Sequence, residues 1–308
     1  MKKPKVAILG ASGIGKFHAR EFHKAGCDVV AILGSTEESA ARTAEELRQE
    51  FNIQARPYHD LETLFSSEEL DAVSICTPPK LHSSQVRKCL EAGLHVLCEK
   101  PFVLDTKDKN YQIAKDLLTL AKEKGKILTV NTQWVSIVPY LEKNFDLKNI
   151  KSFSMYMEPP IMGGLNLITE AIPHANSMLL GLTSNKNLLP DSIKFPISNE
   201  EEIIIKFNYG KCEALYHFKL KEQRPRKLSF TLNGTEFVRE IRENYSQQLI
   251  YDGKAIDIPD PLAKSINAFI EAISGEGSPL VDERDILDNI RIQDLVMKEY
   301  LSRKSKLP

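Results

Sequence analysis

The chain has 308 residues, of which 42% are apolar and 27% charged, with a formal net charge of −1. That length accommodates two domains, and the near-neutral balance supplies no basic excess to neutralise phosphates, which argues against nucleic acid as a partner. No apolar run approaches the roughly 18 residues of a membrane helix, and the basic-then-apolar start MKKPKVAILG is broken at once by Gly10, Ser12 and Gly13, so it reads as a first strand rather than a leader.

In chain order, the first half alternates short apolar strands with helical segments. Residues 6–9 are a near-continuous apolar run followed by a helix over 14–25, and residues 29–33 are a second strand followed by a helix over 38–51. Strands over 72–76 and 95–98 flank a helix over 83–92; Asp105 reads as the N-cap of a helix to 124, and 127–130 as one more strand. Runs apolar on both faces, alternating with helices, specify a parallel sheet covered on both sides.

The second half follows different rules. Residues 150–157 alternate, with Phe153, Met155 and Met157 on one face. Three hairpin signals follow, at 208–211 (Asn-Tyr-Gly-Lys), at Asn233-Gly234 and at Asp252-Gly253; such pairs favour the positive φ angles of tight turns. Helices over 262–273 and 283–301 close the chain. The fold class is therefore α/β: a doubly wound parallel sheet of the Rossmann type over 1–126, then an α+β domain with a large open antiparallel sheet over 127–308. The five cysteines (Cys27, Cys76, Cys89, Cys98, Cys212) are odd in number and lack C-x-x-C spacing. They read as buried free thiols of a reducing, cytoplasmic compartment, with no metal site.

The segment Val6–Ala19 joins the first strand to the first helix. A dinucleotide needs a tight strand-to-helix turn, helix N–H groups aimed at its pyrophosphate, and room for the backbone to approach. Gly10, Gly13 and Gly15 supply that backbone; Ser12 stands where the usual G-x-G-x-x-G has glycine, and Ile14 opens the helix. Gly15→Asp is expected to abolish nucleotide binding with the fold intact. The second strand ends in Leu33-Gly34-Ser35-Thr36, without the carboxylate that NAD-preferring domains place there. Nothing at that point repels a 2′-phosphate, and Ser35 and Thr36 offer hydroxyls, although either also serves as a plain helix cap. The reading is NADP or NAD, with NADP favoured. Lys16 and Arg42 are nearby cations.

Three blocks, GASGIGKFHA (10–19), ICTPPKLHSSQVRKCLEAGLHVLCEKP (75–101) and GGLNLITEAIPHANSMLLGL (163–182), resemble the glucose–fructose oxidoreductase / inositol dehydrogenase family. The resemblance implies an NAD(P)-dependent oxidoreductase that acts on a small molecule, with an open sheet through which two copies form a homodimer. It places Thr77, Pro78, His82, Glu99 and Lys100 at the cofactor, with Lys100 beside the nicotinamide and the reacting carbon. Independently, Glu99-Lys100-Pro101 follows the carboxyl end of a strand, where ligands of doubly wound sheets bind; a lysine there stabilises negative charge as hydride moves. The third block normally carries an aspartate four residues before a histidine that acts as acid–base. Here the pair is Glu170 and His174, with glutamate one methylene longer, and Pro173 favours a helix that begins close by.

Where family members often carry an arginine-rich stretch, this chain has VNTQWVSIVPY (130–140). Asn131, Gln133 and Trp134 line the nicotinamide pocket on one reading and are a polar strand end with a buried indole on another. The cationic run 219–227 reads as a solvated strand and turn on one reading and as a site for an acidic or phosphorylated substrate on another. Function then divides between hydride transfer to or from a secondary alcohol or carbonyl of a sugar, polyol or related metabolite, and a regulator that binds NAD(P) without turnover. Ser12 and Glu170 favour the regulator; retention of Lys100 and His174 favours the enzyme. A third reading is transient oxidation during elimination or glycoside cleavage.

Overall fold

The computed structural model describes residues 3–104, 109–183, 189–242 and 246–304. It begins with β1 (Lys5–Leu9), buried along nearly its whole length, then α1 (Ile14–Lys24), β2 (Asp28–Leu33), α2 (Glu37–Phe51), β3 (Arg56–Tyr58) and α3 (Leu61–Ser67). Next come β4 (Ala72–Ile75), α4 (His82–Glu91), β5 (His95–Glu99), α5 (Asn110–Glu123) and β6 (Leu128–Asn131). Asp105, the predicted cap of α5, lies outside the described residues. The strands form one parallel sheet in the order β3-β2-β1-β4-β5-β6. Strand order reverses between β1 and β4, which opens a crevice at their carboxyl ends, the ligand position of doubly wound sheets.

The remaining elements are α6 (Val138–Glu142), β7 (Ser152–Met157), α7 (Gly164–Leu182), β8 (Asp191–Ser198), β9 (Glu202–Tyr209) and β10 (Cys212–Lys219). They continue with β11 (Leu228–Leu232), β12 (Thr235–Ile241), β13 (Gln247–Tyr251), β14 (Lys254–Ile258), α8 (Pro261–Ile273) and α9 (Glu283–Lys304). The eight-stranded sheet has the order β14-β13-β12-β11-β7-β10-β9-β8. The three predicted hairpins form at β9–β10, β11–β12 and β13–β14. Asn233 and Gly234 (φ 47° and 94°), like Asp252 and Gly253 (45° and 70°), adopt the positive φ pairs that such two-residue turns demand. The sheet is not wholly antiparallel, however: β7 lies parallel to β10. No hairpin joins those strands, so local turn chemistry could not reveal their direction. Burial alternates along β9 and β10, one face packing on α7 and the other left open.

The chain packs as two units. One comprises Met1–Asn131 with Leu262–Glu283, the other Thr132–Pro261 with the segment from Arg284 onward. The first is thus discontinuous, where the sequence suggested a single cut after residue 126. Ile266 and Phe269 are fully buried among Ala19, Phe22 and Val29, with the Phe22 and Phe269 rings edge to face at 6.2 Å. Thr129 Oγ1 donates to the Val281 carbonyl at 2.9 Å.

Pro173 is the other departure. It lies in the middle of the 19-residue α7 rather than in a first turn. An interior proline loses a helix hydrogen bond at a cost of about 3 kcal/mol. Nearly continuous burial from Ala171 to Leu180 offsets that cost.

Candidate active and cofactor sites

Within the first unit, the β1–α1 turn is shaped by glycine at two contacts. Gly10 has φ +82°, and a Cβ there would lie 2.8 Å from the Cys76 carbonyl and the Thr77 nitrogen. A Cβ on Gly15 would lie 2.3 Å from the Gly10 carbonyl oxygen. Gly15→Asp would therefore displace the turn itself, contrary to the expectation of an intact fold. Gly13, the N-cap of α1, faces open space and supplies no side-chain cap, and no acidic residue occupies the first turn of that helix. Ser12 and Ile14 are exposed beside it. The Gly15 N–H donates to the Ser12 carbonyl at 3.2 Å, and no side chain caps the rest of this helix start, which suits the pyrophosphate of a dinucleotide.

At the end of β2, a Cβ on Gly34 would meet the Ala40 nitrogen at 2.7 Å and the Ser39 hydroxyl at 2.8 Å. Close packing of β2 on α2 is thus sufficient reason for the missing acid. Thr36 is the N-cap of α2: its hydroxyl accepts from Ser39 N (3.1 Å), and its own N–H donates to Ser39 Oγ (3.0 Å). Ser35 is exposed, 3.4 Å from Ser39 Oγ. Glu37 and Glu38 occupy the first turn of α2, placing carboxylates just past the strand end. Lys16 pairs with Glu46 at 3.1 Å and Glu50 at 2.7 Å.

The carboxyl ends of β4 and β5 carry the second predicted cluster. His82 is fully buried and bridges two backbone carbonyls, Nε2 to Thr77 at 2.7 Å and Nδ1 to Pro101 at 2.8 Å. Its ring is committed to joining the two turns. Thr77 donates its hydroxyl to Gln85 at 2.5 Å; Pro78 precedes a short 3-10 turn, Pro79–Leu81. Glu99 is buried, accepting from His18 Nε2 at 3.0 Å, from the Asn131 amide, and from the Lys100 N–H at 3.2 Å. His18 Nδ1 lies 2.8 Å from Ser74 Oγ. Burial works against the Glu99 charge, but the His18 hydrogen bond and charge, with Lys100 and Asn131, pull its carboxyl below the usual range. Burial likewise opposes the His18 charge, and Cys76 and Glu99 outweigh it, so His18 is held as an imidazolium. Lys100 leaves this ion pair at the carboxyl end of β5, before a cis bond to Pro101.

Within the second unit, Glu170 and His174 line one cavity of about 860 Å³ together with Trp134, Arg224, Arg226 and Arg239. They lie one turn apart on α7, hence on one face. His174 is held from behind. Ser177 Oγ donates to the His174 carbonyl at 3.0 Å and to the Thr132 carbonyl at 3.2 Å, and Asn289 Nδ2 donates to the Pro173 carbonyl at 2.8 Å. Asn176 joins Asn289 to the Tyr216 hydroxyl.

Lys100 and His174 belong to different units. The run 219–227 is mostly exposed, as a solvated turn is, and Arg224, Arg226 and Lys227 also line the cavity wall. His18, Ser74, Asn176 and Asn289 escaped sequence reasoning, because a buried hydrogen-bond partner leaves no local pattern. Only the position of His18 inside the GKFHA block was a signal. Among the described residues no group of histidine, cysteine and carboxylate side chains is placed to hold a metal ion, and no helix is long and apolar enough to cross a membrane. The cysteines are free.

Residues 4–132 match a family model described as an oxidoreductase family with an NAD-binding Rossmann fold. The first unit is a Rossmann domain. The chain is 32% identical over 126 residues to a UDP-N-acetylglucosamine 3-dehydrogenase of Acidithiobacillus ferrooxidans, spanning 41% of this chain and 36% of that enzyme. It is also 32% identical over 120 residues to an inositol 2-dehydrogenase of Rhodococcus erythropolis, spanning 39% and 33%. The matched stretch thus spans about a third of those relatives. The fold likeness extends further: the crystal structure of the Acidithiobacillus enzyme superposes with a TM-score of 0.75, covering 97% of this chain and 98% of that one at 20% identity. The Rossmann domain and the mixed-sheet domain are therefore a shared architecture.

Proposed function

We propose that the protein catalyses reversible hydride transfer between NAD(P) and a secondary alcohol or carbonyl of a sugar, polyol or related small metabolite. The observation that carries this reading is the Glu170–His174 pair lining a cavity in a chain whose other unit is a Rossmann domain. The relatives named above, which act on a nucleotide sugar and on inositol, support the substrate class.

When bound, the nicotinamide accepts or returns the hydride. The residues supply the rest. Gly10, Gly13 and the open start of α1 receive the pyrophosphate. Lys100, anchored beside the Glu99–His18 pair, donates to the substrate oxygen and stabilises charge that develops there. His174 takes the hydroxyl proton during oxidation and returns it during reduction, and Glu170 orients the imidazole or the substrate. Gly34 and Ser35 leave the ribose pocket without a carboxylate at the strand end, which favours NADPH; Glu37 and Glu38 oppose it, so the preference is small. A cytoplasmic homodimer closed through the open face of the eight-stranded sheet completes the reading.

The test is a panel of sugars, polyols and aldehydes with both cofactors, followed by the absorbance of the reduced nicotinamide. Turnover of any member supports the enzyme. Tight cofactor binding with no turnover across the panel would transfer the case to a regulator, the reading that Glu170 in place of aspartate favours.

A further inference from the structure

The cavity of the second unit carries charge that hydride transfer does not use. Arg224 and Arg226 come from the turn before β11, and Arg239 from β12. Among the described residues no carboxylate pairs with any of the three. Arg226 spends its N–H groups on the carbonyls of Lys221 (3.0 Å) and Glu222 (2.6 Å). Arg239 donates to the Arg226 carbonyl at 2.9 Å and lies over the Trp134 ring at 5.3 Å. Besides Glu170, the carboxylates of the lining are Glu158 and Glu240, and both have other partners. Glu158 accepts from the Tyr156 hydroxyl (3.0 Å), from Lys227 N (2.6 Å) and from Lys221 Nζ (3.2 Å), and Glu240 accepts from Gln248 at 2.9 Å.

Arg239 is half-buried and Arg224 exposed; a half-buried guanidinium usually faces a carboxylate or phosphate, because removing its charge from water is costly without a partner. The cations of the lining (Arg224, Arg226, Lys227 and Arg239) outnumber its carboxylates (Glu158, Glu170 and Glu240), and burial, and then the charge of Arg224, push the Arg239 pKa below its ordinary value. Its planar fork of donors suits a carboxylate or a phosphate bidentately.

The geometry points to an anion subsite formed by Arg224 and Arg239 in the cavity that His174 lines: the compound bound there is a hydroxy compound carrying a carboxylate or phosphate. The inference rests on the reading of this cavity as the substrate pocket. His174 and Glu170 face the reacting hydroxyl end, and the two arginines hold the charged end. Neutral polyols then lack the group that the pocket is built to hold.

Trp134 is the only tryptophan in the chain and stacks on Arg239, so its fluorescence reports the subsite directly, without turnover. The full-length protein is titrated with gluconate, glucose 6-phosphate, glucose and inositol. Gluconate or glucose 6-phosphate, or both, should give a saturable change that weakens as salt is added, with the neutral compounds much weaker; which anion responds identifies the charged group. Arg239→Gln should weaken binding about tenfold or more, the usual worth of a hydrogen bond to a charged group. Arg224→Gln, at an exposed position, should weaken it as well and guards against a folding defect in the first variant. Equal binding of neutral and charged compounds, or anion binding unchanged in both variants, overturns the subsite. Turnover of neutral polyols with no anion binding also overturns it while leaving the hydride-transfer reading intact. Arginine-dependent anion binding with no turnover upholds the subsite and removes the hydride-transfer reading.

Discussion

Lys100 leaves the sheet from a buried ion pair, and that pairing sets what substitutions nearby should do. Glu99→Gln strands the His18 charge, and breaking a buried pair costs about 3–5 kcal/mol. The pH dependence has two limbs. Glu99 is held below its ordinary 4.5, so its contribution is full above that value and lost as pH falls through about 2. His18 is held above its ordinary 6.5, so its contribution is full below that value and lost as pH rises through about 10. The stability gap between wild type and Glu99→Gln, measured by urea denaturation, should be largest between pH 4.5 and 6.5 and narrow on both sides; a pH-independent gap would exclude the ion pair. For chemistry, Lys100→Met and His174→Asn should bind NAD(P) within a few-fold of wild type. Each should turn over substrate about 10²–10⁴-fold more slowly. His174→Asn should also lose an inflection in its pH–rate profile. Unchanged turnover in both variants would remove these residues from catalysis.

At the level of elements, the proposed cofactor site rests on two helix starts. Because Gly15 is locked against the Gly10 carbonyl, a cleaner probe of the pyrophosphate site is Ile14, 43% exposed at the first position of α1. Ile14→Glu puts a carboxylate where the helix dipole welcomes it, so stability should hold or rise while NAD(P) affinity falls. Calorimetry that finds wild-type affinity in a folded Ile14→Glu protein would move the cofactor elsewhere. At α2, Glu37 and Glu38 stand where a 2′-phosphate would approach. NADPH should bind better than NADH by less than about tenfold, the worth of one weak charge interaction. Glu37→Gln with Glu38→Gln should widen that ratio. A preference for NADH in wild type would sink the NADP assignment without touching the fold.

Over the whole molecule, the Rossmann unit depends on a segment more than a hundred residues beyond its last strand. Phe269 is fully buried against Phe22, and Phe269→Ala should cost about 3–5 kcal/mol. The loss should appear in the nucleotide-binding unit, as lower NAD(P) retention on warming. A fragment ending at residue 131 should bind cofactor poorly for the same reason. Full NAD(P) affinity in that fragment would show that α8 is dispensable.

The alternation of apolar runs with helices, the Gly10–Gly15 turn and the Asn-Gly and Asp-Gly hairpins were legible in the sequence. Each depends on residues within a few positions of one another, where periodicity and turn chemistry dictate the backbone. The Glu170–His174 spacing was legible for the same reason: four residues on a helix share a face. Tertiary structure alone decided the rest. Nothing local distinguishes β7 pairing parallel to β10 from any other register, or says that Phe269 completes a core begun at Phe22. Nor does the run 219–227 reveal that its arginines line a cavity, because lysines and arginines facing water read the same. Pro173 shows the converse: a strong local signal for a helix start, overridden because burial along α7 outweighs one missing hydrogen bond.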